Sequence, residues 1–241
     1  MNIAIVSDIH GNLTALEAVL ADIRHVSPDL VLHGGDLSDS GSSPTEIVDL
    51  ICDLGWPGVM GNTDEMLVNP SALDEFVSQS SAPPALWTAI RQIAAATRSA
   101  LGEERLAWMR GLPRTKIFDG LALVHAIPDS CWRAPAANAT DEELETIYAS
   151  LAQPVVVFGH THLPAVRRLP GTPNLLINSG SVGLPYDGNP RASYLVLRDG
   201  IPEIRRVEYD LSRELKALAT CGLPGAEWTA QMLRTSRPQM S

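Results

Sequence analysis

Seven side chains in this 241-residue sequence carry lone pairs suited to a divalent cation. Asp8 and His10 stand two apart. Asp36 follows a Gly-Gly pair, with Asp39 three residues on. Asn62 follows Gly61, with Asp64 two residues on; His125 comes alone, and His160 and His162 again stand two apart. Carboxylate, imidazole and amide oxygen together form the ligand set of a hard-to-borderline ion such as Mn, Fe, Zn or Ni. No cysteine falls among them, which argues against a structural zinc cluster. Asp8, His10, Asp36, Asn62, His125, His160 and His162 are more donors than one ion needs. With one carboxylate bridging, they would hold two ions close together and leave positions open for water. Singly, each is ordinary: Gly-Asp and Gly-Asn are common turn dipeptides. The metal reading rests on their joint occurrence after successive apolar runs.

Those runs supply the elements that must position the donors. Asn2 to Val6 is apolar and β-branched, as a strand buried on both faces requires, and ends in Ser-Asp-Ile-His-Gly. A helical pattern opens at Asn12, with Leu13, Leu16, Val19, Leu20 and Ile23 on one face. Pro28-Asp29 breaks it, and Leu30 to His33 starts a strand that ends in Gly34-Gly35-Asp36. Pro44 to Leu54 reads as a second helix with proline in its first turn. Gly58-Val59-Met60 reads as a third strand leading into Gly61-Asn62. Strand, helix, strand, helix, strand is the order of a parallel α/β sheet, which places its sites at strand ends.

Residues 66–113 change character, with Ala- and Leu-rich helical patterns over 86–101 and 103–110, and read as a helical insert or cap. Ile117-Phe118, Asp119-Gly120 and Leu121 to His125 read as a hairpin with an Asp-Gly turn. Thr140 to Glu143 is a capping box opening a helix to about Leu151. Pro154 to Phe158 is a buried strand ending at Gly159-His160-Thr161-His162. Further strands are expected at 166–169, 175–178, 194–197 and 204–207. The chain is expected to be a single domain over 1–241, with the insert at about 66–113 and a C-terminal helical tail at about 210–241.

Composition narrows the class. Eighteen Lys and Arg stand against 28 Asp and Glu, a formal charge of −10, which disfavours a long nucleic acid and leaves room for a small phosphorylated substrate held by metal ions. No apolar run approaches the roughly 20 residues of a membrane span, and the first residues lack the basic start of a signal peptide. Cys52, Cys131 and Cys221 share no paired spacing and read as reduced thiols, so a cytoplasmic location is expected.

The ordered set Asp8-x-His10, Gly35-Asp36-x-x-Asp39, Gly61-Asn62-x-Asp64, His125 and Gly159-His160-Thr161-His162 resembles the calcineurin-like metallophosphoesterase superfamily. Asn178 to Gly183 and Asn189 to Tyr194 resemble its small bacterial and archaeal branch, and the resemblance spans about residues 1–208. It implies an α/β fold in which two sheets pack face to face with helices outside. It implies two divalent metal ions: Asp8, His10 and His162 on one, Asn62, His125 and His160 on the other, and Asp36 bridging. Asp36, Asn62, His125 and His160 are thereby the expected catalytic residues, and Asp39 and Asp64 are expected to fix loops. The implied reaction is phosphoester hydrolysis by metal-activated water, on a phosphodiester or nucleotide-like substrate.

Two positions depart from the family pattern. Thr63 stands where many members have a histidine that protonates the leaving group, and Ala126 follows His125 where glycine is usual. A phosphomonoesterase or protein phosphatase, or a non-catalytic metal-binding scaffold or sensor, are the alternative readings. His33 reads as a core or supporting residue, His25 as solvated, and Trp87 and Trp108 as packing residues. Tyr186 and Arg191, in a Gly/Pro-rich loop, either touch a phosphate or base or anchor the loop. Oligomeric state is open; the insert and the 180–192 loop are candidate interface or gating elements for a homo-oligomer.

Overall fold

Ile3 and Ile5 pack on one side of the first strand and Ala4 and Val6 on the other, and this alternation organises the whole fold. The computed structural model describes residues 1–239, so the last two positions of the expected C-terminal tail lie outside the described residues. Nine strands are described: β1 (Asn2–Val6), β2 (Leu30–His33), β3 (Thr115–Phe118), β4 (Leu121–Val124), β5 (Val155–Phe158), β6 (Ala165–Arg168), β7 (Leu175–Asn178), β8 (Ala192–Arg198) and β9 (Ile201–Val207). The helices are α1 (Leu13–Val26), α2 (Pro44–Leu54), α3 (Asn62–Val68), α4 (Pro70–Val77), α5 (Pro84–Arg110), α6 (Asp141–Tyr148), α7 (Leu211–Thr220) and α8 (Ala226–Thr235).

One sheet runs β2-β1-β8-β9 and the other β3-β4-β5-β7-β6. β1 pairs parallel with β2 and antiparallel with β8, while β4, β5 and β7 are mutually parallel. Between the sheets lie Ile3, Ile5 and Leu32 facing Leu123, Val157 and Ile177. Outside the first sheet, Ala4, Val6 and Tyr194 pack on Leu16 and Val19 of α1. Outside the second, Val124 and Val156 pack on Leu144 and Tyr148 of α6. The result is two sheets flanked by helices. Because β1, β2, β4 and β5 run the same way within each parallel set, their carboxyl ends deliver Asp8, Asp36, His125 and His160 to loops that meet.

Most local signals form the elements they encode. The β3–β4 hairpin turns at Asp119-Gly120, with Gly120 at φ +77°. Thr140 and Glu143 cap α6 reciprocally, and a single 3-10 turn continues the coil to Leu151. The expected third strand at Gly58 to Met60 is a correction: only an isolated bridge, His33 to Gly58, forms there. Met60 N–H is instead given to Pro113 O, so the segment leaves the sheet after one rung. The helical stretch also starts earlier than its composition indicates, with Asn62 in the first turn of α3. Gly102, at φ +71° and ψ 170°, breaks α5 in the gap between its two apolar patterns. Among the described residues no helix is long and apolar enough to cross a membrane.

His33 is fully buried beside Trp108, and neither ring nitrogen has a hydrogen-bond partner. Burial, with Lys116 adding to it, pushes its pKa from 6.5 down to about 3. Below pH 6.5 the unfolded chain therefore binds a proton that the folded chain refuses until about pH 3. Folding stability falls as pH drops through that window, by up to about 1.4 kcal/mol per pH unit from this group. A His33→Leu variant is expected to flatten the acid limb in urea denaturation between pH 7 and 5. Equal slopes in the two proteins would remove His33 as a contributor.

Candidate metal centre

The loops that leave the strands bend sharply, and the bend falls on the candidate ligands themselves. Asp8, His10, Asp36, His160 and His162 all have left-handed backbone, with φ of 55°, 47°, 53°, 63° and 58°. Asp and His tolerate this region better than most residues, yet each such non-glycine costs roughly 1–3 kcal/mol that the surroundings must offset. The packing is close: a Cβ at Gly159 would lie 2.4 Å from Asp8 Oδ2, and one at Gly61 would lie 2.0 Å from Asp36 Oδ1. Glycine at these two positions lets neighbouring loops approach the carboxylates.

All seven expected residues converge, in two groups. In the first, His10 Nε2 is 3.2 Å from His162 Nε2 and 3.6 Å from Asp36 Oδ2, and His162 Nε2 is 3.2 Å from Asp8 Oδ1. Ligand atoms of Asp8, His10, Asp36 and His162 all lie within 4.8 Å of one another. In the second, Asn62 Oδ1 is 3.0 Å from His125 Nε2 and 2.9 Å from His160 Nδ1. His125 Nε2 is also 3.5 Å from Asp36 Oδ1, so the two oxygens of Asp36 face different groups.

The histidines are held by their outer nitrogens. Nδ1 of His10, His125 and His162 lies 3.1, 2.7 and 2.6 Å from the carbonyls of Asp39, Gly34 and Leu184. A carbonyl only accepts, so each Nδ1 carries a proton and Nε2 is the nitrogen turned inward to offer a lone pair. Burial lowers His10, with His162 adding to it, and burial with His125 takes His160 down to about 4. On His125 the burial effect is outweighed by Asp36 and Asp8, and its pKa rises. Burial alone would raise Asp8, but His162, His125 and His10 outweigh it and hold its carboxyl well below the usual range. Inward lone pairs beside two buried carboxylates are the donor chemistry of a divalent cation, and the residues fit one.

Supporting residues fix these positions. Asp64 Oδ2 accepts from Asp36 N–H at 2.8 Å and Gly61 N–H at 2.9 Å, and its Oδ1 accepts from Leu37 N–H at 3.0 Å. Burial and the Asp36 charge raise Asp64 to about 6, and burial raises Asp39 to about 7. Asn178, at the end of β7, donates to Gly159 O at 2.7 Å and Thr161 Oγ1 at 2.9 Å, ordering the loop that carries His160 and His162. Ser181 Oγ donates to Asp8 O at 2.6 Å. Sequence reasoning assigned these two no role; a polar residue ending a fully buried strand is the signal that marks Asn178.

Above the donors opens a cavity of about 300 Å³. His10, Asp36, Asn62, His160 and His162 line its floor, while Asp8 and His125 lie beneath. Trp87 packs in the core, as expected, but also lines this cavity; Trp108 only packs. Tyr186 stacks on His162 with ring centroids 4.3 Å apart, whereas Arg191 bonds Asn189 in its own loop. Thr63 gives its N–H to Asp36 Oδ1 at 2.9 Å, and its hydroxyl has no partner.

The fold and this cluster are those expected of a calcineurin-like phosphoesterase, and comparison with known proteins places the chain in that superfamily. The calcineurin-like phosphoesterase superfamily domain matches residues 1–199, and the chain belongs to that superfamily. An uncharacterized protein of Methanocaldococcus jannaschii, MJ0912, is 32% identical over 256 residues, covering 98% of both chains. The crystal structure of a metallophosphoesterase from Sphaerobacter thermophilus is similar at a TM-score of 0.79 and 29% identity, covering 98% of this chain and 100% of that one. Hypothetical protein PH1004 from Pyrococcus horikoshii shares the fold at a TM-score of 0.83 and 16% identity, over 99% of each chain.

In an Asp64→Asn variant an amide NH₂ would face backbone N–H donors. Mn affinity is expected to fall about 10- to 100-fold with the fold retained, as read by calorimetric titration and circular dichroism. Unchanged affinity would show that Asp64 does not set the ligand geometry.

Proposed function

We propose that the chain is a dinuclear metal-dependent hydrolase of small phosphodiesters. The observation that carries this is Asp36, whose Oδ2 faces His10 at 3.6 Å and whose Oδ1 faces His125 at 3.5 Å. A carboxylate so placed would bridge two sites, one held by Asp8, His10 and His162 and the other by Asn62, His125 and His160. When bound there, divalent ions such as Mn, Fe, Ni or Zn supply a water of lowered pKa and polarise the phosphoryl oxygens. The chain's own part is to turn Nε2 of His10, His125 and His162 and Nδ1 of His160 toward the site, to hold the substrate against the donor floor, and to line the cavity with apolar walls. Preorganised donors of this kind need no rearrangement during reaction.

Charge favours a diester over a monoester. Among the described residues no Lys or Arg lines the cavity, while Asp36 and Asp39 do. A diester, with one fewer negative charge than a monoester dianion, needs less compensation there. Thr63 offers no proton donor at neutral pH, so esters with acidic leaving groups are expected to turn over fastest. The free Cys52, Cys131 and Cys221 support a reducing, cytoplasmic setting.

Chelated protein resupplied with Mn, Ni, Zn or Fe(II) is expected to bind two ions. It should then hydrolyse bis(p-nitrophenyl) phosphate faster than p-nitrophenyl phosphate. Asp36→Asn should lower the diester rate by at least about 100-fold while the circular dichroism spectrum is kept. Two bound ions with no turnover of either ester would replace the enzyme by a metal-binding scaffold or sensor.

A further inference from the structure

The chain holds 3 Phe, 5 Trp and 4 Tyr, and five of these side chains converge on the one cavity above the metal-facing floor. Phe76 comes from α4, Trp87 from α5, Trp132 from the loop after β4, Tyr186 from the loop after β7 and Trp228 from α8. Phe76 lies between two indoles, 5.8 Å from Trp87 at 81° and 5.1 Å from Trp132 at 31°. Aromatic walls of this kind gain most from a flat, apolar guest.

Two hydrogen bonds hold α8 over the cavity. Thr229 Oγ1 donates to Ser40 O at 2.7 Å, and the Tyr186 hydroxyl donates to Met232 Sδ at 3.4 Å. α8 lies beyond residue 199, where the superfamily match ends, so this wall is added to the common domain. Size and charge restrict the guest further. About 300 Å³ is the lower end of the roughly 300–1,000 Å³ of small-molecule sites. With carboxylates in the lining and no Lys or Arg among its described residues, a second anionic group would be desolvated without a counter-charge.

We propose that this cavity selects phosphodiesters that carry one phosphoryl and an uncharged planar aromatic substituent of nucleobase or phenyl size. The inference rests on the phosphoesterase reading and narrows it. Polyphosphate chains, which need cationic side chains along their length, are excluded by the lining.

Binding to the full-length Mn-supplemented protein tests this, by calorimetry with phenylphosphonate, methylphosphonate and 4-carboxyphenylphosphonate. Phenylphosphonate should bind at least about tenfold tighter than methylphosphonate, and the added carboxylate should cancel that gain. Trp228→Ala and Phe76→Ala should each shrink the phenyl-to-methyl ratio, and Trp228→Phe should restore most of it, which a merely misfolded variant would not. Equal affinity for phenyl and methyl compounds, or a gain from the carboxylate, overturns the inference. Hydrolysis of bis(p-nitrophenyl) phosphate, measured on the same samples, judges the underlying reading separately. No turnover with a strong phenyl preference would sink the esterase and keep the aromatic site. Turnover without preference would do the reverse.

Discussion

Asp36 has to present its two carboxylate oxygens to different histidines, and most of the surrounding backbone serves that requirement. The residue sits in a left-handed conformation at φ 53°, separated from the end of β2 by Gly34 and Gly35. Its N–H is held by Asp64, and its Oδ1 takes the N–H of Thr63 from the start of α3. Its carbonyl accepts the N–H groups of Ile9 and His10, so the same residue also shapes the loop that brings in Asp8 and His10. A carboxylate anchored at both backbone ends and one side-chain oxygen has little freedom. For Asp36, and for His10 whose N–H it accepts, these bonds offset the strain of a left-handed backbone.

The sandwich and the helices divide the work. Parallel strands bring donors to their carboxyl ends and fix them to within a hydrogen bond, as rigid elements do. The walls come instead from α3 to α5, from the loops after β4 and β7, and from α8. The candidate ligands are therefore carried by the ends of the sheet strands and the cavity walls by the helices and long loops around them.

That division also explains what could be read from the sequence. The donors were legible because each follows an apolar run, and a strand end is a local event. The helices over 13–26, 44–54 and 141–148 were legible from their spacing, Pro44 and the Thr140 capping box. The strand expected at Gly58 to Met60 was not formed, because whether a short apolar run pairs depends on partners elsewhere; here Pro113 takes the Met60 N–H. The aromatic wall was illegible for the same reason. Phe76, Trp132 and Trp228 are far apart in sequence, and only the tertiary fold makes them neighbours. Asn178 and Ser181 were visible as a motif, but their role as ties between loops exists only in the folded chain.

The pairing of β1 bears on how the chain is made. Its neighbours are β2, close in sequence, and β8, whose register sets Asn2 opposite Arg198. During synthesis from the amino terminus, the first strand can dock onto the second early. Its other edge stays open until some 190 further residues have emerged. Throughout that interval the nascent polypeptide carries an apolar ribbon with unpaired N–H and C=O groups, a template for association with other chains. The residues that lead directly into Asp8 and His10 are thus translated long before the strand that seals them, and a ribosome that stalls before β8 leaves that edge exposed.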